Sequence, residues 1–168
     1  MRSLAMTAAA LALLAAPTAR AADAWGLDNE QPMEVSGKVV DLLCMLTGDC
    51  PADCGGGKRQ LGILTADDRL LPVAKGTVLL ANAVPDLLPM CGRTIHADGL
   101  LIASPDMTLY FPQYLKLSAD DAWMPTTAFQ TQWTATHGDA PDWYRADPTV
   151  AAVIKRDGIL GIPGLKPE

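Results

Sequence analysis

The sequence is short of positive charge and contains no run of basic residues. It holds 13 Lys and Arg against 19 Asp and Glu in 168 residues, which gives a formal net charge of −6. Because nothing in such a chain would neutralise phosphates, we expect no nucleic acid partner and no binding to an anionic membrane. The length indicates one domain, and the hydrophobic content of 49% excludes disorder as the main state.

The common catalytic motifs are missing as well. His96 and His137 are the only histidines, and neither belongs to an H-x-E or H-E-x-x-H pattern, so a hydrolytic zinc site is not expected. Lys58-Arg59 follows three glycines, but a phosphate-binding loop needs Ser or Thr after the Lys and a helix after that. No G-x-S-x-G is present. These absences favour a role that is not enzymatic.

The first residues have the pattern of an export signal. Arg2 is followed by an apolar run over residues 4–16, and Ala19-Arg20-Ala21 fits a small-x-small cleavage pattern. We predict that residues 1–21 are a signal peptide and that the mature chain begins near Ala22; the alternative is an uncleaved anchor. The mature chain would keep 11 bases against 19 acids, a net charge of −8. No second long apolar run follows, so we expect a periplasmic or secreted protein with no membrane segment.

The middle of the chain predicts a small β domain. After a polar arm over residues 22–32, residues 33–117 alternate as five to six short strands with frequent turns. This spacing is typical of a mainly β (α+β) fold, either a small barrel of the oligonucleotide/oligosaccharide-binding (OB) type or a compact sandwich. The predicted strands cover 33–41, 60–65, 69–74, 93–103 and 107–111, with a turn at Asp67-Asp68, a bulge or sharp bend at Gly99, and breaks at Pro85 and Pro89. Pro112 limits the last strand, and Leu115 and Leu117 extend the apolar alternation beyond it.

Residues 118–168 predict a helical or irregular cap with a tail. Ser118 is a candidate N-cap, and Asp147-Pro148 predicts a helix that runs to Arg156 and ends at Gly158. The segment is rich in aromatic residues, which either roof the barrel or form an exposed surface for a periplasmic protein partner. The candidate partner-binding residues are Trp123, Trp133, Trp143 and Tyr144.

The cysteines are the most informative residues. Three of them form C-x5-C-x3-C in a Gly-rich loop over residues 44–59, and the fourth follows 37 residues later. In an exported domain an even count favours two disulfides, whose connectivity the sequence leaves open. The alternatives are a thiolate–thioether site for copper, since soft sulfur ligands select Cu(I), and a thiol pair that exchanges with a redox partner. The residues concerned are Cys44, Cys50, Cys54 and Cys91, with Met45 and Met90 as auxiliary copper ligands.

Part of the chain resembles a group of small exported bacterial proteins. Residues 35–44 read VSGKVVDLLC and match the group's G-x-V-V-D-x-x-C strand, which a Cys-containing loop follows. Residues 61–65 and 92–99 resemble two later strands of the same fold, so the resemblance covers about residues 33–103. It implies an OB-like barrel and an exported compartment rather than an activity. The group carries a His before its cysteines, which this loop lacks.

Together these patterns predict a periplasmic, non-enzymatic binding module that disulfides stabilise. Copper handling through the Cys/Met set is one version of this prediction. The alternatives are an accessory subunit of a periplasmic oxidoreductase complex and a thiol–disulfide redox protein.

Overall fold

The structure, a computed structural model, describes residues 22–77, 81–139 and 143–158. The predicted signal peptide and the tail from residue 159 onward lie outside these ranges. The elements in chain order are β1 (Glu30–Asp41), α1 (Leu42–Thr47), β2 (Leu61–Thr65), β3 (Leu70–Pro72), α2 (Val84–Leu87), a 3-10 turn (Leu88–Met90), β4 (Thr94–Ala103), β5 (Thr108–Lys116), β6 (Met124–Pro125), α3 (Ala128–His137), α4 (Trp143–Ala146) and α5 (Pro148–Asp157).

The strands form one antiparallel sheet that closes on itself. The order across the sheet is β3-β2-β1-β4-β5-β6. Beyond the end of β3, Val73 forms a parallel bridge with Tyr110 of β5, and the amide of Ala74 donates to the Tyr110 carbonyl at 3.2 Å. The first five strands therefore follow the cyclic order β1-β2-β3-β5-β4, which is the OB arrangement. The predicted mainly β (α+β) fold is confirmed, and its barrel form is the one observed.

Strand β1 is the strand that both halves of the barrel share. Its first part, Glu30–Lys38, pairs with β4, and its last part, Gly37–Asp41, pairs with β2. Strand β2 approaches closely at Gly37, where an added Cβ would lie 2.6 Å from the side chain of Ile63 and from the carbonyl oxygen of Leu64. Only glycine fits there without moving backbone.

A bulge between β4 and β5 explains why one sequence prediction was wrong. The register passes from Asp98 opposite Tyr114 to Gly99 opposite Pro112, so Gln113 is the extra residue. Proline is accepted at such irregular positions because its missing N–H leaves no ladder bond unmade. Strand β5 therefore continues through Pro112 to Lys116, whereas the sequence analysis placed its limit at Pro112. The irregularity predicted at Gly99 is found there as a register shift, with the extra residue on β5 and not on the strand of Gly99.

The barrel interior centres on Tyr110. This side chain is fully buried, and its hydroxyl donates to the carbonyl of Met33 at 2.7 Å and lies 3.1 Å from the carbonyl of Ala97. Burial, together with the negative charges of Asp98 and Glu34, raises the pKa of the phenol. Around it pack the apolar side chains that form the main core, among them Val35, Val39, Leu61, Ile63, Leu71, Val84, Leu87, Ile95, Leu101 and Leu115.

Two prolines expected to break the segment before β4 instead begin helical turns there. Pro85 lies in the first turn of α2 and Pro89 in the first turn of the 3-10 helix. A first-turn position suits proline, because its missing N–H would have no partner inside the helix and its φ is already helical. The main core includes Val84 and Leu87 of α2 and Met90 of the 3-10 turn, so both turns pack against the barrel interior.

The C-terminal third contains helices, but the first begins later than Ser118. The carboxylate of Asp121 accepts the Ser118 amide in a turn, so Ser118 caps no helix. Helix α3 begins only at Ala128, after the short pairing of β6 with β5. The predicted start of α5 is confirmed, because Asp147 accepts the amides of Thr149 and Val150. Of the helices described, none has the length and apolar character needed to cross a membrane.

We expect Tyr110→Phe to lower the free energy of unfolding by about 1–3 kcal/mol, because the change leaves buried carbonyl acceptors without their donor. Denaturant unfolding of the purified variant measures this loss. Tyr144→Phe is the matched control, since Tyr144 packs at the surface against Trp143, and it should change stability by less than about 0.5 kcal/mol. Equal losses in the two variants would contradict the role given to the Tyr110 hydroxyl.

Candidate functional site

The loop between β1 and β2, residues 42–60, contains a helix that the sequence analysis missed. Asp41 caps α1, because its carboxylate accepts the amides of Leu43 at 2.8 Å and Cys44 at 3.3 Å. Gly48 ends the helix in the left-handed conformation, with φ of 78°. Six helical residues are too few for an apolar periodicity. The signal that was present is the pair of caps, an Asp and a Gly with six residues between them.

Two disulfides brace this loop, as the sequence favoured. Cys44 at the centre of α1 bonds to Cys50, six residues later, with 4.5 Å between the Cα atoms. Cys54 bonds to Cys91, which follows the 3-10 turn, with 6.0 Å between the Cα atoms. The second bridge ties the loop to the segment before β4. It stabilises the fold by about 2–4 kcal/mol through restriction of the unfolded chain.

The disulfide pairing contradicts the predicted copper site. Cys44, Cys50, Cys54 and Cys91 are all consumed by disulfides, and a disulfide sulfur is not the thiolate that binds Cu(I). Met45 is exposed on α1, whereas Met90 is buried in the main core, so the two thioethers lie in different environments. Across residues 22–77, 81–139 and 143–158, no group of three or more His, Cys, Asp or Glu is placed to hold a metal ion.

An ion-pair network fixes the base of the loop. The guanidinium of Arg59 donates to the buried Asp41 carboxylate at 3.0 Å and to that of Asp49 at 2.6 Å. The hydrogen bonds to Asp49 and Asp41 raise the pKa of Arg59. The same Asp41 carboxylate caps α1, so one buried group orients both the helix and the return of the loop. Gly55 lies beside the Arg59 side chain with φ of 77°, which a residue with Cβ rarely adopts.

Although it is braced in this way, α1 buries none of its residues. Leu43 and Met45 are exposed, and Leu46 is 79% exposed. At the other end of the loop, Cys54 lies in the main core. The loop is therefore anchored on its inner side and carries three apolar side chains on its outer side.

A groove lies beside the same loop. It encloses about 520 Å³ between Gly57, the α2 and 3-10 turns and α3, and its walls include Pro85, Leu88, Pro89 and Phe129. The remaining described lining residues are Asn82, Val84 and Gln132, so none of the described residues in its walls carries a titratable side chain. The groove can therefore hold an apolar group.

Two of the four aromatic residues proposed for partner binding are buried. Trp133 and Trp143 pack on each other with 5.6 Å between ring centroids, and with Ala81 they form a cluster separate from the barrel core. Tyr144 packs edge-on against Trp143, and Lys116 lies 4.4 Å over the ring of Trp123. Trp133 and Trp143 therefore act as packing residues of the C-terminal helices and are not exposed anchors. They also do not roof the main core.

The histidines are placed apart from the cysteine loop. His96 lies half-buried on β4. His137 ends α3, where its ring stacks on Trp133 with 4.7 Å between centroids and its Nδ1 lies 3.1 Å from the Trp133 carbonyl. Neither histidine was predicted to belong to a site, and neither lies beside the disulfides of the loop.

We expect the two disulfides to differ in their rates of reduction by a limiting amount of thiol reductant under native conditions. Cys50 is exposed, whereas Cys54 is buried in the main core, so the Cys44–Cys50 bridge should open first. Alkylation followed by peptide mass mapping assigns the opened bridge. Before any reductant is added, the denatured protein should take up no alkyl group. Release of Cys54 and Cys91 first, or free thiols at the start, would contradict the structure.

We expect Asp147→Ala to loosen α5 from α3. The Trp133 indole N–H and the Val150 and Thr149 amides donate to Asp147 and lower the pKa of its carboxyl. A lowered folded pKa means that the stabilisation is complete above about pH 4, the unfolded value, and is lost as the pH falls through the folded pKa.

Amide hydrogen exchange at Thr149 and Val150 and the near-UV signal of the tryptophans measure this loosening. The control is Asp139→Ala, at an exposed carboxylate just beyond α3. The expectation fails if Asp147→Ala leaves both signals unchanged, or if the control changes them as much.

No family model, curated protein or solved structure matches this chain. The resemblance drawn from residues 33–103 therefore stays a prediction.

Proposed function

We propose that the protein is an exported, non-enzymatic binding module that presents α1 to a protein partner. The observation that carries the proposal is a six-residue helix with no buried residue that is nevertheless held by an N-cap, a disulfide and an ion-pair network. Isolated helices of this length are not stable in water. Several interactions therefore stabilise a helix that contributes no buried residue to the core of the protein.

Such bracing is useful when the helix has to be ready for recognition. A loop that is ordered before it meets its partner loses less conformational entropy on binding, and so binds more tightly with the same contacts. The exposed side chains of Leu43, Met45 and Leu46 supply the apolar centre that a protein interface needs. The partner that fits them is a protein with an apolar cleft about one helical turn long.

The compartment is argued from the disulfides. Two bridges are typical of proteins that fold in the periplasm or outside the cell. With the pattern of residues 1–21, this supports a periplasmic or secreted protein. An accessory subunit of a periplasmic oxidoreductase complex is a special case of the same proposal, in which the apolar cleft belongs to the larger subunit.

A thiol–disulfide redox protein is the second candidate, and the exposure of Cys50 favours it. The Cys44–Cys50 bridge is accessible at one sulfur, while the Cys54–Cys91 bridge is protected on its Cys54 side. Accessible bridges are the ones that exchange with partner thiols. Copper binding by these residues would require both bridges to be reduced first, so we do not propose a copper-binding function.

The test is photo-crosslinking in the exporting cell. A photoreactive residue replaces Leu46, and the matched control replaces Ile154, which is also apolar and exposed but lies on α5. We expect one defined adduct from position 46 that is missing from position 154. The partner captured by crosslinking is then purified, and its affinity for the protein is measured. The Leu46→Glu variant should bind this partner at least about tenfold more weakly, because the substitution places a charge in the apolar centre of the interface.

Absence of a defined adduct, or the same adduct from both positions, would reject the binding proposal. The redox candidate is separated by turnover of a disulfide-bonded peptide with a thiol as co-substrate. Turnover that disappears in the Cys44→Ser/Cys50→Ser variant would favour the redox candidate. Crosslinking without turnover would favour the binding module.

A further inference from the structure

The buried carboxylate of Asp98 is only half satisfied. Asp98 lies on β4 just before the bulge and is 2% exposed. Its Oδ1 accepts the backbone N–H of Ala22 at 3.2 Å, and its Oδ2 has no hydrogen-bond partner among the residues that the structure describes. A buried carboxylate with an unpaired oxygen is costly unless a cation or further donors compensate it.

The N-terminal arm is fixed so that the nitrogen of Ala22 meets this carboxylate. Gln113, the extra residue of the bulge, is buried, and its side chain donates to the Asp23 carbonyl at 2.6 Å and accepts the Asp23 amide at 2.9 Å. The Glu30 carboxylate accepts the amides of Trp25, Gly26 and Leu27. Ala22 itself is 5% exposed. The arm is thus anchored along its length up to Ala22.

The sequence places the predicted cleavage site directly at this nitrogen. Ala19-Arg20-Ala21 has the small-x-small pattern that a signal peptidase recognises. Hydrolysis breaks the bond between the Ala21 carbonyl carbon and the Ala22 nitrogen. Water supplies a hydroxyl to the carbon and a proton to the nitrogen, and a second proton from solvent makes the new terminus an α-ammonium at neutral pH.

We propose that export processing creates a buried ion pair between the α-ammonium of Ala22 and the carboxylate of Asp98. In the unprocessed chain the Ala22 nitrogen is a neutral amide with one hydrogen, which satisfies Oδ1 alone. The ammonium has three donors and a full positive charge, so it supplies the missing partner of Oδ2 and neutralises the buried charge.

The charges around Asp98 fit a cation better than a neutral amide. Glu34 of β1 lies directly opposite Asp98 in the sheet, so it adds a second negative charge on the same face. Burial and then the charges of these two carboxylates raise the pKa of the Tyr110 phenol on β5, which places their negative charge near the barrel interior. Burial, with Glu34 adding to it, also raises the pKa of Asp98. A positive charge at Ala22 would relieve this repulsion, and processing would thereby stabilise the exported protein.

The experiment compares four exported chains. The full chain and a chain with Gly-Ser inserted between Ala21 and Ala22 are each made with and without Asp98→Asn. The insertion keeps the cleavage pattern but moves the new amino terminus two residues away from Asp98. Intact mass establishes where each mature chain begins, and denaturant unfolding gives its folding equilibrium constant.

We expect the unmodified mature chain to begin at Ala22. There Asp98→Asn should lower the folding equilibrium constant by on the order of 100-fold, because it removes one partner of a buried ion pair. In the extended chain the same change should be neutral or stabilising, because it removes a buried charge that has no cation. Asp23→Asn, at an exposed carboxylate next to the terminus, is the control and should change both chains equally.

A second readout does not depend on stability. Under native conditions an amine-reactive label should modify the α-amine of the chain that begins at Ala22 at least about tenfold more slowly than that of the extended chain, because the paired ammonium is buried and protonated. This comparison stands even if the Asp98→Asn chain is not recovered. A mature terminus at another residue, equal effects of Asp98→Asn in both chains, or equal labelling rates would each overturn the proposal.

Discussion

The structure depends on the closure of one sheet at Tyr110. The main chain of this residue pairs with the end of β3, and its hydroxyl crosses the interior to the carbonyl of Met33 on β1. A curled sheet with free edges would leave both of these connections unmade and expose its apolar inner face. Closure requires the strands to approach tightly at Gly37 and to bend at Gly99, where an added Cβ would overlap the Phe111 carbonyl. Closure of the barrel therefore depends on Gly37, Gly99 and Tyr110 together.

Closure also determines which segments share an end of the barrel. Thr94 at the start of β4 pairs near the end of β1, at Lys38, so the cysteine loop and the α2 segment meet at one end. Glu30 at the start of β1 lies opposite Ile102, so the N-terminal arm belongs to the other end. The Cys54–Cys91 bridge links the two segments of the first end. Helix α1 and the amino terminus are therefore held by separate sets of contacts.

The sequence was informative where structure is local and silent where it depends on distant contacts. Strand alternation, an irregularity at Gly99 and the cap at Asp147 could be predicted because each has a signal within a few residues. The strand limit predicted at Pro112 was wrong, since only the register against β4 shows that this proline lies at a bulge within β5. The connectivity of the cysteines could not be predicted for the same reason. The short helix α1 was missed because its caps, and not its composition, define it.

The buried polar side chains show how the fold uses polarity in its interior. Asp41, Thr65, Gln113 and Thr126 are buried, and each hydrogen-bonds a backbone group of a cap, a turn, the N-terminal arm or the bulge of β5. Oδ1 of Asp98 likewise accepts a backbone N–H, from Ala22, whereas Oδ2 has no hydrogen-bond partner in the described part of the chain. The half-buried Asp86 also has one carboxylate oxygen without a partner in the described part of the chain, so the unpaired oxygen alone does not identify a cation. What distinguishes Asp98 is that its other oxygen contacts the nitrogen of Ala22, where the predicted cleavage would create a cationic donor. The nitrogen already in contact with Asp98 becomes that donor once the bond before it is cut.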